Sequence, residues 1–374
     1  GLAEELIVTL SGWRTFPVIS AASSLDLSAD GSGHVEDPIA FGRALQAKYV
    51  LNCTLRENRS KTRLTARLLN TESGENIWAD RFDVGAEDLI AAQDDVAACV
   101  AGNVQERVSQ AELARIVWKR TDQLSAWELV LLGQKELRRA SRSGNSASRK
   151  FFRSALENYP DYVDAHVGMA TSYCWDAKHV RRDERADALD LAESHAHAAL
   201  DLDWNSAVAH ARLGAVHTWR EDLQRGLYEC EIALQLNPSD AVTRMQYGNR
   251  LDLLGRTNEG IRHMTQGLRM SPFDPIAADY MGYLSRADLV RGDPEAALGW
   301  ARRAQARRPV HVDTIYRLAA CYAALGGQKD AERALQECER LQPGFLALKS
   351  DWRPYPDRDR NDRVLDGFRR LGLQ

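Results

Sequence analysis

Residues 204–272 read WNSAVAHARLGAVHTWREDLQRGLYECEIALQLNPSDAVTRMQYGNRLDLLGRTNEGIRHMTQGLRMSP, and their punctuation repeats. Trp204, Pro238 and Pro272 are evenly spaced. Their interval is about 34 residues, the length of one helix–turn–helix repeat. Working outward, Pro309 and Pro343 keep the same interval, Pro272 to Pro309 is slightly longer, and Pro160 to Trp204 is longer still. Gly255, Gly292 and Gly326 each lie half a repeat ahead of the next proline. Proline cannot continue a helix, and glycine accepts the left-handed turn that ends one. The unit is therefore helix, glycine turn, helix, proline. The two longer intervals place insertions before the mid-repeat turn, the larger of them near residues 176–187.

Small residues recur inside each unit. Leu213-Gly214 precedes a stripe of Gly226, Cys230 and Ala233, and Tyr247-Gly248 precedes Gly260, Met264 and Gly267. Met281-Gly282 goes with Ala297, Ala301 and Ala304, and Leu318-Ala319 with Ala331, Leu335 and Cys338. Earlier units carry Leu132-Gly133 with Phe152 and Ala155, then Met169-Ala170 with Ala192, Ala196 and Ala199. Helices approach closely only where small side chains allow it, and one hairpin cannot bury its apolar face alone. In period and residue placement, residues 127–343 resemble six tetratricopeptide (TPR) repeats. Ser125-Ala-Trp-Glu128 has capping-box spacing ahead of the first unit, and Asp293-Pro294 is a helix start signal. Residues 344–374 depart from the period: a proline-rich strip, 351–360, precedes an amphipathic helix at 361–371, which is expected to close the array.

Residues 1–110 have period two. Tyr49, Leu51, Cys53 and Leu55 share one strand face, and Leu64, Ala66 and Leu68 point inward from the next, with a third strand at 76–82. Residues 2–10, 38–46 and 86–108 read as helices and 16–20 as a short strand, with a linker at 111–126. The expected fold class is an α+β N-terminal domain, a mixed sheet with helices, followed by an all-α TPR solenoid. Gly1-Leu-Ala-Glu-Glu-Leu6, Phe41-Gly-Arg-Ala-Leu-Gln-Ala-Lys-Tyr-Val-Leu51, Thr71-Glu-Ser-Gly-Glu-Asn-Ile-Trp-Ala-Asp-Arg-Phe82 and Ala92-Gln-Asp-Asp95 form a series. It resembles the small α/β domain, similar to the amino-terminal domain of TolB, that precedes TPR arrays in bacterial regulators. That resemblance implies an output domain further upstream, either a winged-helix DNA-binding domain or a class III adenylate cyclase. The closing stretch 363–373 resembles the usual end of such chains. The resemblance implies a first strand ahead of the Gly1–Leu6 helix, which this sequence does not include; without it a sheet edge is expected to be left unpaired. The loop 23–35 is shortened relative to that family.

With 44% apolar and 27% charged residues and a net charge of −4, the chain is composed as a globular protein and not as a nucleic-acid coat or membrane-surface binder. Neither a bilayer-length apolar run nor a signal peptide is present, and the expected location is the cytoplasm. Six scattered cysteines without a CxxC pair are read as reduced. No phosphate loop, HExxH or GxSxG occurs, and His195-Ala-His197 diverge on a helix. No catalytic residue, cofactor or metal is assigned.

The site expectation comes from repeat geometry. First helices of successive units line a concave groove, and by register Trp175, Trp219, Asn249, Asp279, Tyr283, Arg286 and Tyr316 face it, along with Gln134, Thr171 and Ala215. The other reading of these residues is packing between hairpins. The expected partner is a protein or peptide in the TPR groove, with homodimerisation left open, DNA reached only through an upstream domain, and no membrane. Three functions follow: a regulatory module controlling an upstream output domain, a self-contained scaffold, and, least supported, an enzyme.

Overall fold

The computed structural model describes residues 2–12, 16, 18–19, 37–58, 61–85, 89–116, 119, 123–139, 141–180, 184–271, 274, 276–350 and 355–372. The chain divides into two compact units, one of Gly1–Arg220, Glu231–Ala241 and Arg269–Ser271, the other of Glu221–Cys230, Val242–Leu268 and Pro272–Gln374.

The first unit opens with α1 (Leu2–Gly12) and α2 (Pro38–Ala44), followed by β1 (Tyr49–Asn58), β2 (Lys61–Asn70), β3 (Asn76–Gly85) and α3 (Leu89–Ile116). Asp37 caps α2 by accepting from Ile39 N and Ala40 N at 3.0 and 3.1 Å, with proline in the first turn. The described sheet is antiparallel in the order β1-β2-β3, with Cys53 opposite Ala66 and Leu68 opposite Trp78. The strand that would make it mixed was expected at 16–20. Within that stretch Phe16, Val18 and Ile19 carry no strand, and the rest lies outside the described residues, as does loop 23–35. Alternation sends Leu64, Ala66, Leu68 and Trp78 onto Leu6 and Leu10 of α1 and onto Ala97, Val100, Ala101, Val104 and Val108 of α3. Leu55, at the far end of the same face, is exposed.

Helix α3 runs past its expected end at Val108 and continues to Ile116. Its extra turns are held by Glu112, only 3% exposed, which accepts from Tyr49 Oη at 2.7 Å and Arg115 Nε at 2.8 Å and pairs with Lys48 Nζ at 2.5 Å. Lowering of the Glu112 pKa is opposed by burial and driven by the bonds from Lys48, Tyr49 and Arg115.

The hairpins of this unit begin with α4 (Ala126–Leu137), α5 (Arg142–Asn158), α6 (Val163–His179), α7 (Ala186–Leu202) and α8 (Ala207–Trp219). The capping box on α4 is present, with Ser125 N donating to Glu128 Oε2 at 3.0 Å and Glu128 N to Ser125 Oγ at 3.3 Å. Phe152 of α5 is wholly buried between two glycines: a methyl at Gly168 would meet Phe152 Cε1 at 2.5 Å, and one at Gly133 would overlap the same ring. Ala170, Ala196 and Leu213 bring α6, α7 and α8 together.

The second unit contains most of α10 (Ala241–Leu253), which follows α9 (Leu223–Leu236), and then α11 (Thr257–Met270), α12 (Ala277–Arg291), α13 (Pro294–Arg307), α14 (Val312–Ala324), α15 (Gln328–Leu341), α16 (Phe345–Ser350) and α17 (Arg358–Arg370). Gly255, Gly292 and Gly326 all have φ between 77° and 94°, the turn that their half-repeat spacing marked. Glu221, at the matching place before Pro238, also takes φ 69°. Asp293 caps α13 from Ala296 N at 3.0 Å, with Pro294 following. None of the six cysteines is in a disulfide.

Gly248 and Gly260 let α10 and α11 touch, since a methyl on Gly248 would lie 2.6 Å from Gly260 O and 2.8 Å from Met264 N. Gly299, inside α13, has nothing within 4 Å of such a methyl. Gly248→Ala should therefore cost about 1–3 kcal/mol by overpacking. Gly299→Ala should instead gain about 0.5–1 kcal/mol from backbone entropy. Urea unfolding of both variants checks the opposite signs.

Candidate functional site

Five of the seven residues expected in a groove lie in the second unit, on three successive first helices. Asn249 and Asp252 come from α10, Asp279, Tyr283 and Arg286 from α12, and Tyr316 from α14. Arg286 is 4% exposed and Asp252 is completely buried. Arg286 Nη2 donates to Asn249 Oδ1 and to Asp252 Oδ2, each at 2.8 Å. Asp252 was not among the expected groove residues, because an aspartate one helical turn beyond Asn249 carries no signal until its partner is known.

The C-terminal segment completes the cluster. Tyr355 Oη accepts from Arg286 Nε at 3.0 Å and donates to Asp252 Oδ2 at 2.7 Å. Arg360, at the start of α17, donates from Nη2 to Asp252 Oδ1 at 3.0 Å and to Thr257 Oγ1 at 2.5 Å, and from Nη1 to Asp252 O at 2.5 Å. Both guanidinium groups lie over the Tyr355 ring, Arg360 at 4.1 Å and Arg286 at 4.9 Å from its centroid. Burial works against the charge of Arg286, yet Tyr355, Asp252 and Tyr283 raise its pKa above the ordinary guanidinium value. Burial, joined by Asp252, pushes the Tyr355 phenol up and keeps its proton available for donation.

Further along the same face Tyr316 packs against Phe368 of α17 and Phe345 of α16, at centroid distances of 5.6 and 5.8 Å. A methyl on Gly367 would collide with the backbone of Ala323 and Ala324, so α17 lies directly against the end of α14. Arg363 Nη1 reaches Val290 O on α12 at 3.3 Å. Tyr283 lies under Arg286 and Arg317, at 5.3 and 5.7 Å. Asp279 pairs with Arg308 Nη1 at 3.0 Å, tying α12 to the turn after α13.

The remaining two expected residues belong to the first unit. Trp175 stacks on His179 at 3.9 Å, and Trp219 lies under the Arg185 guanidinium at 4.9 Å. Of His195 and His197, the former meets His166 with Nδ1 atoms 3.1 Å apart and stacks on Tyr173. Burial, then His166, lowers its pKa. Among the described residues no group of three or more His, Cys, Asp or Glu is placed to hold a metal, and no helix is long and apolar enough to cross a membrane.

Asp252→Ala removes the one carboxylate that the two buried guanidinium groups share and should cost about 3–5 kcal/mol of second-unit stability, measured by urea unfolding. Asp288 on α12 is 2% exposed, and burial, offset by Arg291, raises its pKa from 3.8 to about 6. The folded state then holds a proton that the unfolded chain has released, so stability falls as pH rises through that window. Asp288→Asn should remove this slope and add about 1–3 kcal/mol at pH 7 relative to the parent, read as the difference between their stability–pH curves.

No protein-family profile matches the sequence. The chain is 25% identical over 223 residues to a protein named "Putative adenylate cyclase 3" from Rhizobium meliloti (strain 1021), a match covering 60% of this chain and 37% of that protein. Among solved structures it is similar to the APC/C hetero-tetramer Cut9-Hcn1, at 14% identity and a TM-score of 0.52, over 74% of this chain and 48% of that one. It also matches a tetratricopeptide repeat protein from Parabacteroides merdae at 11% identity and a TM-score of 0.43, over 75% of this chain and 95% of that one. The fold is a small antiparallel three-stranded sheet followed by TPR-like helical hairpins.

Proposed function

We propose that this chain is the protein-interaction and regulatory module of a bacterial signalling protein, acting on an output domain encoded upstream. One observation carries the interaction part of the reading. The first-helix face of the second unit receives an amphipathic helix, α17, through one apolar strip and one buried polar cluster. A face that accepts a helix in this way is suited to a protein or peptide partner, for which Asn249, Asp279, Tyr283, Arg286 and Tyr316 are the proposed residues. Trp175 and Trp219 supply aromatic surface on the first unit.

The regulatory part draws support from two sources. One is the resemblance of residues 1–110 to the domain that precedes TPR arrays in bacterial regulators. The other is the similarity to the Rhizobium meliloti protein, of which this match spans 37%. Adenylate cyclase is the output that the second source favours, and a winged-helix domain is the output that the first leaves equally open. The second reading is a free-standing scaffold, favoured by the number of repeats alone.

The whole open reading frame that encodes this chain should be expressed and assayed for cyclic AMP formation from ATP and for retention of DNA. We expect one of these activities, altered at least several-fold by Trp219→Ala. A reading frame limited to these 374 residues, inactive in both assays, would overturn the regulatory reading and leave the scaffold.

A further inference from the structure

The C-terminal segment does more than cover the last repeat: it lies along the second unit as a ligand lies in a groove. A helix that only closes an array covers the hairpin next to it. Here the segment reaches three successive first helices: Arg360 meets Asp252 on α10, Tyr355 and Arg363 meet Arg286 and Val290 on α12, and Phe368 meets Tyr316 on α14. We propose that Tyr355–Arg370 is an intramolecular occupant of a helix-binding groove. The partner this groove takes is then an amphipathic helix presenting the same pattern: a tyrosine, an arginine five positions later, and apolar side chains four and eight positions beyond that arginine.

The specificity follows from what the segment satisfies. Asp252 Oδ1, Asp252 O and Thr257 Oγ1 all accept from the one Arg360 guanidinium. Three acceptors on one planar fork suit arginine and not lysine, whose ammonium is a compact and strongly hydrated point charge. On its other oxygen Asp252 keeps Arg286, so a displaced segment would leave a buried acceptor set short of one cation. The tyrosine is presented ready-made: Asn361 accepts from Tyr355 N at 3.0 Å and donates to Tyr355 O at 2.7 Å, fixing the bend that puts the ring under Arg360.

Reversibility follows from how little of α17 is committed. Its buried residues are Arg360, Asn361, Val364, Gly367 and Phe368, one strip of the helix. Among its outer charges, Asp362 pairs with Arg369 at 2.5 Å and Asp366 with Arg370 at 3.0 Å. A competing helix therefore has a short apolar strip and one turn to replace.

This inference rests on reading the repeats as a protein-binding module, and it stands apart from the upstream output domain. The test uses the full chain and a fluorescent synthetic peptide of residues 355–372, followed by anisotropy. Val364→Asp with Phe368→Asp loosens the resident segment and leaves the groove walls untouched. We expect this variant to bind the peptide at least tenfold more tightly than the parent chain, whose groove is filled. Replacing the peptide's arginine by lysine should weaken binding at least tenfold, and adding Asp252→Asn to the chain should abolish it. Circular dichroism and the urea midpoint establish folding; should the double variant unfold, Arg360→Gln takes its place with the same expected gain. Equal binding by parent and variant, no binding by either folded variant, or indifference to lysine overturns the proposal. None of these outcomes touches cyclic AMP formation or DNA retention, so the two readings fail separately.

Discussion

Each hairpin in this chain has an apolar face that its own two helices cannot cover, and the molecule is built around meeting that demand. The solution is close approach. Gly133 and Gly168 clear the space that the wholly buried Phe152 ring fills, and Gly248 and Gly260 bring two backbones into contact. Ala297, Ala301 and Ala304 do the same with methyl groups along α13. Dispersion and the removal of apolar area from water then accumulate from repeat to repeat, with each hairpin stabilised by its neighbours. The α+β region answers the same demand with a different period, its sheet setting Leu64, Ala66 and Leu68 against α1 and α3.

The polar cluster around Asp252 belongs to another kind of energetics. Burying two guanidinium groups and a carboxylate is costly, and the mutual attraction offsets that cost only when lone pairs and protons are matched. Here they are matched closely: Asp252 accepts on both oxygens, Tyr355 both accepts and donates, and Asn249 takes a further proton of Arg286. A cluster of this type contributes little net stability compared with an apolar core of equal volume. It contributes discrimination, since a segment lacking the right donors would leave charges stranded. Tyr316 and Phe368 supply the ordinary apolar part of the same contact.

The two units use their aromatic and basic residues differently. In the first, Trp219 lies under Arg185, and Trp175 stacks on His179 of its own helix, both contacts within one unit. In the second, the aromatic groups Tyr283, Tyr316 and Tyr355 are interleaved with Arg286, Arg317 and Arg360, and much of the face is taken up by the chain's own C-terminus.

The repeat architecture was legible because its determinants are local and periodic. Prolines at most repeat ends, glycines half a repeat before three of them and a stripe of small residues state the helix ends and the contact faces in the linear order of the chain, and alternation states the strands just as directly. The turn at Gly255 and the cap at Asp293 could be named for the same reason, each being set by its immediate neighbours. Asn249, Tyr283, Arg286 and Tyr316 could be assigned to one face by helical register. Their bonding partners could not. Asp252 and Arg360 are 108 residues apart, and Arg286 and Tyr355 are 69 apart, with no periodicity linking them. Which buried acceptor a guanidinium finds depends on how three first helices align and where the C-terminal bend falls. That is settled by the packing of the whole unit, so the tertiary structure alone decided what occupies the face that the sequence had outlined.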